Sequence, residues 1–215
     1  MSQIHINTRS LFLILAVLIS EVATAGSKDV YVLSNRETVL ENDNSTALNR
    51  VKAHSGLNLM IANESANNSL MISRTDSVQF ISEMLDLDGD WVVFVHGDAK
   101  TLDQSVKRGI AIQKEHDINV LIFSWPSKDP ILGGVRNFKR SRSHVGESLS
   151  HFMQMLDFVQ VFKDANPSFQ NNQKISLLFH SLGILYMESM VGNDFQLGLQ
   201  GDLFDNLILN AAAVN

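Results

Sequence analysis

Nucleophilic chemistry by a serine needs a hydroxyl lifted clear of the backbone and a place for the oxyanion it creates. One segment of this sequence has the residue types for both. Phe179-His180-Ser181-Leu182-Gly183 joins an apolar run, Ile175 to Phe179 (ISLLF), to a helical stretch from Gly183 to Val191. Strand, sharp turn and helix in that order are the context of a nucleophile elbow. The turn raises the Ser181 hydroxyl above the carboxyl end of a sheet. It also puts the backbone N–H of Leu182 at a helix start, where the helix dipole helps it stabilise an oxyanion. Gly183 is needed because the helix passes close to the neighbouring strand. His96-Gly97-Asp98 closes an earlier apolar run, Trp91 to Val95, and the loop there offers the second oxyanion N–H, from Asp98. The chain has no Cys, which excludes disulfide scaffolds, Cys-ligated zinc, iron–sulfur clusters and thiol nucleophiles, and leaves serine as the nucleophile.

Other chemistry-bearing residues point to less. His144 and His151 lie seven apart on one helix and share a face; with no further ligands they read as a solvated face rather than a metal pair. His54 sits in an Asn-rich stretch without a partner. Arg136, Lys139, Arg140 and Arg142 form a basic cluster that could hold an anion, but the commoner reading is a solvated loop. Asp86, Asp88 and Asp90 alternate, yet no Glu stands at the twelfth position of an EF-hand loop, so a turn is expected. No cofactor and no metal site is expected.

The elements that must position these groups follow from periodicity. Asp29 to Ser34 (DVYVLS), Trp91 to Val95 (WVVFV), Val120 to Phe123 (VLIF), Ile175 to Phe179 and Leu207 to Ala211 (LILNA) read as strands, and the continuous apolar runs suit strands buried on both faces. Helical spacing is present over Ser77 to Leu87, over Leu102, Val106 and Ile110, and over Val145 to Phe162, where Asn166-Pro167 stops it. Residues from about Glu41 to Asn68 are rich in Asn and Ser and read as loop, with a weak strand at Leu57–Ala62. The segment from Ser124 to Ser143 reads as a long loop covering the site, with Gly133-Gly134 as a hinge. Strands alternating with helices predict an α/β protein with a mainly parallel sheet.

The order WVVFVHG, VLIFSWPS, ISLLFHSLG and LFDNLILNAAAVN resembles the α/β-hydrolases of the group called DUF900, and the early YVLSNRE resembles that family's first strand. The resemblance covers about residues 29–36 and 90–215. It implies a three-layer α/β-hydrolase-like sandwich and a serine hydrolase of the esterase/lipase kind, with Ser181 as nucleophile and Asp98 and Leu182 at the oxyanion hole. His180 and His96 are then packing residues. Two departures stand out. Phe179 occupies a position where the family has Gly or Ala, and a bulky side chain there crowds the elbow. In this fold the triad runs Ser, then Asp or Glu, then His. No His follows Ser181, and the acids that do are Glu188, Asp194, Asp202 and Asp205. The expectation is a chain truncated before its last strands, acid and base.

Residues 1–25 are expected to be a signal peptide: Arg9 precedes the apolar run Ser10 to Ser20, and Ala23-Thr24-Ala25 has the small-x-small pattern of a cleavage site. The run is about half of the ~20 residues a spanning helix needs, so no stable membrane anchor remains after cleavage and the protein is expected to be exported. Residues 26–89 hold the N-terminal strand and Asn/Ser-rich region, and 90–215 the incomplete hydrolase core. The chain has 215 residues, 45% hydrophobic and 19% charged, which excludes wholesale disorder, and its net charge of -6 argues against a nucleic-acid partner. The function expected is hydrolysis of a small carboxylic ester through an acyl-Ser181 intermediate, impaired by the missing partners. The rival is an inactive hydrolase-like domain that binds a small ligand or a protein.

Overall fold

Three strands are buried along their whole length, and the fold is arranged around them: β1 (Val30–Ser34), β6 (Trp91–Val95) and β7 (Asn119–Ser124). Their side chains alternate between two cores. Tyr31, Leu33, Val93, Val95, Leu121 and Phe123 point to one face, and Val30, Val32, Val92, Phe94, Val120 and Ile122 to the other. That explains why these runs are apolar without alternation. The computed structural model describes residues 29–41, 44–52, 56–129, 131–192 and 203–211. The expected signal peptide, His54, Asp194 and Asp202 lie outside them.

The main sheet has seven strands in the order β5-β4-β1-β7-β6-β8-β9. Here β4 is Asn58–Glu64, β5 Leu70–Arg74, β8 Ile175–His180 and β9 Asn206–Asn210. From β1 to β9 every pairing is parallel. The pairs β1–β4 and β4–β5 are antiparallel. A separate antiparallel pair joins β2 (Arg36–Glu41) to β3 (Asn44–Val51), with an irregularity between Arg36 and Thr38. The region predicted as loop therefore carries β3, and the weak strand expected at Leu57–Ala62 is β4. The region's Asn and Ser residues suit a hairpin and a sheet margin, where no long continuous apolar run forms.

Helices cover both faces. On one side lie α1 (Ser77–Leu85), α3 (Gly134–Ala165) and α4 (Leu185–Gly192), which bury Phe80, Met84, Phe152, Met155, Val159, Phe162 and Tyr186 against the sheet. On the other lies α2 (Leu102–His116), with Val106, Ile110 and Ile112 inward. Asp76 caps α1 by accepting from the N–H groups of Val78 and Gln79. Thr101 and Gln104 form a reciprocal capping box on α2, and Asp117 in the left-handed conformation (φ 49°) ends it. No helix among the described residues is long and apolar enough to cross a membrane.

Three expectations change here. The helix α3 begins at Gly134, well before the apolar stripe starts at Val145, so the basic cluster 136–142 sits on helical turns rather than in a loop. The hinge reading of Gly133-Gly134 gives way with it: Gly133 is the N-cap position of a 32-residue helix. The face carrying His144 and His151 is also not solvated. His151 is buried, and His144 lies half-buried with Nδ1 2.8 Å from the Pro126 carbonyl.

Phe152 of α3 is the aromatic centre of the larger core. It stacks on Tyr186 at 4.8 Å between ring centroids and meets Phe123 edge-on at 5.4 Å and Phe179 at 6.1 Å. Replacing it by Ala leaves a cavity that four elements surround. Phe152→Ala is expected to cost about 3–5 kcal/mol, read as a lower denaturant midpoint in equilibrium unfolding.

Candidate active site

Ser181 sits where β8 ends, and its backbone is left-handed, with φ 51°. A non-Gly residue pays for that conformation unless its surroundings enforce it. They do so through two glycines. A Cβ added to Gly97 would lie 2.8 Å from the His180 carbonyl oxygen and 2.8 Å from the Ser181 Cβ. One added to Gly183 would lie 2.8 Å from the Val95 carbonyl oxygen and 2.9 Å from that of His96. The turn after β6 and the turn after β8 thus touch backbone to backbone. A short 3₁₀ turn (Ser181–Ile184) leads into α4, and Leu182 is buried at its second position.

Phe179 does not obstruct this turn. It is buried on the α3 side of the sheet, tilted against Phe152, and so lies in a core cavity shaped for it rather than under the serine. His180 points to the opposite, α2 side, where its ring borders an open cavity with Lys100 and Arg108. Burial lowers the His180 pKa, and the charges of Arg108 and Lys100 lower it further.

The loop after β6 is held by a network that extends well beyond the HG pair. The Asp98 carboxylate accepts from Asn137 Nδ2 at 2.8 Å and from the Ser141 hydroxyl, both on the first turns of α3. Asn137 also donates to the Ser127 carbonyl at 2.9 Å, and the one Ser141 hydroxyl proton is shared between that carbonyl, at 2.7 Å, and Asp98. Ser127 in turn accepts at its carbonyl from the Ala99 N–H at 3.0 Å and at its hydroxyl from the Lys100 N–H at 3.0 Å. The segment after β7 is therefore packed onto the β6 loop as part of the site's frame, with Trp125, Pro126 and Ser127 buried.

His96 is buried and fully engaged. Its Nε2 accepts from the Trp125 N–H at 3.1 Å, so Nδ1 carries the proton and donates to the Gly97 carbonyl at 2.8 Å. The Trp125 indole stacks on the ring at 5.4 Å and donates to the His96 carbonyl at 2.8 Å. Burial, then the charge of Arg36, holds the His96 pKa down to about 3. A neutral imidazole with both nitrogens committed is a structural group.

Arg36 is the buried residue that sequence reasoning left without a role. Its Nε donates to the Ser124 hydroxyl at 3.1 Å, and one terminal nitrogen donates to the Lys100 carbonyl at 2.9 Å and to the Trp125 carbonyl. Burial lowers its pKa to about 9, so it remains charged at neutral pH. One guanidinium thereby ties the end of β1 to the loops after β6 and β7. Its sequence signal was a charged residue two positions after a strand that is buried along its whole length.

The base is a different matter. No side chain among the described residues hydrogen-bonds the Ser181 hydroxyl. Of the acids named from sequence, Glu188 is exposed on α4, and Asp205 Oδ2 accepts from the Ile175 N–H at 2.8 Å at the far end of β8. Among the described residues no three His, Asp or Glu side chains are grouped as a metal ion would need.

A family described as "Alpha/beta hydrolase of unknown function (DUF900)" has a model that matches residues 73–215. Neither a curated protein nor a solved structure matches the chain.

Two expected outcomes follow from this geometry. Gly183→Ala forces a methyl group against two backbone carbonyls that cannot rotate away, so it should lower stability by about 1–3 kcal/mol, measured by chemical unfolding. For His96 the sign is set by a folded pKa near 3 against 6.5 for the free group. The unfolded chain binds the proton first, so the stability contribution is complete above pH 6.5 and is lost as pH falls from there toward 3. Histidine NMR should show the Nδ1–H neutral tautomer of His96 persisting at pH 5.

Proposed function

The chain belongs to the DUF900 family of α/β-hydrolases, and from that premise we propose that it acts as a serine hydrolase on small carboxylic esters. The observation that carries this reading is the left-handed backbone of Ser181 in a strand-to-helix turn, with Gly97 and Gly183 in backbone contact on either side. Ser181 Oγ attacks the ester carbonyl, and its proton passes through solvent water to the oxygen of the departing alcohol. The tetrahedral oxyanion is met by the backbone N–H groups of Leu182 and Asp98, as a nucleophile elbow would have it. The alcohol then leaves with a proton, and water hydrolyses the acyl-Ser181 ester to the acid. An oxyanion site is worth having even without a full triad, because about 10³–10⁴-fold acceleration over water survives loss of a triad member.

One observation favours the non-catalytic reading, a hydrolase-like domain that only binds: Ser181 lacks a base among the described residues. The two readings part experimentally. A fluorophosphonate probe should label the protein on Ser181, slowly compared with a complete triad, and Ser181→Ala should abolish labelling. A wild-type protein that stays unlabelled while melting cooperatively would leave only the binding reading.

We place this hydrolase outside the cytoplasm, as an exported protein. The support is the sequence of residues 1–25 alone: Arg9, the apolar run that follows, and Ala23-Thr24-Ala25.

A further inference from the structure

Among the described residues, α2 packs chiefly over β7, β1 and β4. Beside α2, over β6, β8 and β9, a groove remains. It contains two cavities of about 570 and 360 Å³ that share Phe94, Arg108 and His180 in their walls, a size that suits small-molecule sites.

The groove is chemically graded. At the end next to the elbow, Lys100, Lys107 and Arg108 converge with His180 and Gln104 over a floor of Phe94, and no Asp or Glu is among the lining residues. None of the three cations makes a side-chain hydrogen bond or ion pair among the described residues. They gather on a protein of net charge -6. Further along, the walls turn apolar, with Val92, Ile112, Leu178 and Ile208, and Glu115 and His116 close the far end. Cations gathered at a concave, low-dielectric wall concentrate anions there. An apolar trough leading away from them suits a hydrocarbon chain and would repel a second charged end at Glu115 if that end were anionic.

We propose that this groove is a binding site for a singly headed amphiphilic anion. Its carboxylate or phosphate head is held by Lys100, Lys107 and Arg108, with Arg108 able to bind two oxygens at once. Its apolar chain lies over Val92, Leu178 and Ile208. Binding here needs no turnover at Ser181, so the site stands apart from the reaction proposed above.

The test uses the full-length protein carrying Ser181→Ala, which separates binding from catalysis, and calorimetric titration with octyl phosphate, octanoate and octyl glucoside. The expected result is saturable binding of an anionic amphiphile, weakened by salt, and at least about tenfold tighter than octyl glucoside, the equivalent of roughly one unit of charge-assisted contact. Tighter octyl phosphate identifies a phosphate head, tighter octanoate a carboxylate. Arg108→Glu should weaken the anion about tenfold or more, and Lys107→Gln by less, each with an unchanged melting profile. The proposal is overturned if neither anion binds, if octyl glucoside binds as tightly, or if both variants keep wild-type affinity.

Discussion

Two turns at the carboxyl end of the sheet touch through their backbones, and the geometry of this protein depends on that contact. Gly97 and Gly183 are what allow it. At either position a single added methyl would fall inside 3 Å of a main-chain oxygen. With the methyls absent, the β6 turn and the start of the 3₁₀ turn lock together, and Ser181 has one backbone conformation open to it, the left-handed one. Strain of this kind, of order 1–3 kcal/mol, persists only where neighbouring structure over-determines it. Here the determinants are two parallel strands paired from Trp91↔Ile175 to Val95↔Phe179 and a helix that cannot move away from β6 without breaking that ladder.

A second constraint sits one layer below. Burying an arginine is costly unless its N–H groups are satisfied. Arg36 meets that cost with acceptors on separate segments: Ser124 Oγ, the Trp125 carbonyl and the Lys100 carbonyl. The consequence is cooperative. If either loop moves, the charged group loses an acceptor in a dry interior, so the loops after β6 and β7 hold each other in place through it. The Asp98–Asn137–Ser141 cluster extends the same logic to α3. Polar groups rather than apolar packing set the position of the loop that would supply the second oxyanion N–H.

The parts of this arrangement that could be read from the sequence are those where one physical cause dominates. WVVFV, NVLIFS and ISLLF are apolar because they are buried, and the parallel sheet followed from that. HSLG between a strand and a helix predicted the turn at Ser181, and HG predicted the turn opposite it. What escaped was stabilised by mixed causes. The strand Asn58–Glu64 (NLMIANE) showed only as a weak strand at Leu57–Ala62, because its apolar run is short and flanked by Asn, Glu and Ser, and the hairpin strand Asn44–Val51 before it looked like loop. The first turns of α3 are fixed by Asn137 and Ser141 reaching polar partners, with Val135 exposed and Phe138 about a third exposed; no apolar stripe marks them, and a double glycine beside them suggested a hinge. His144 and His151 looked like a solvated pair because spacing shows which residues share a face but not which way that face points. Phe179 looked like an obstruction because crowding at the elbow is a property of local sequence, while its seating against Phe152 is a property of packing at a distance.

A serine held in this turn is either the atom that takes the acyl group or a relic of the shape that once required it. Rapid quenching of the full-length protein after mixing with an activated acetyl ester, followed by mass analysis of the fragment that begins at Ile175, decides between them most directly. An acetyl group on Ser181 that decays with time is the predicted result. Acetylation confined to lysines, or none on that fragment while the protein is folded, would contradict the account.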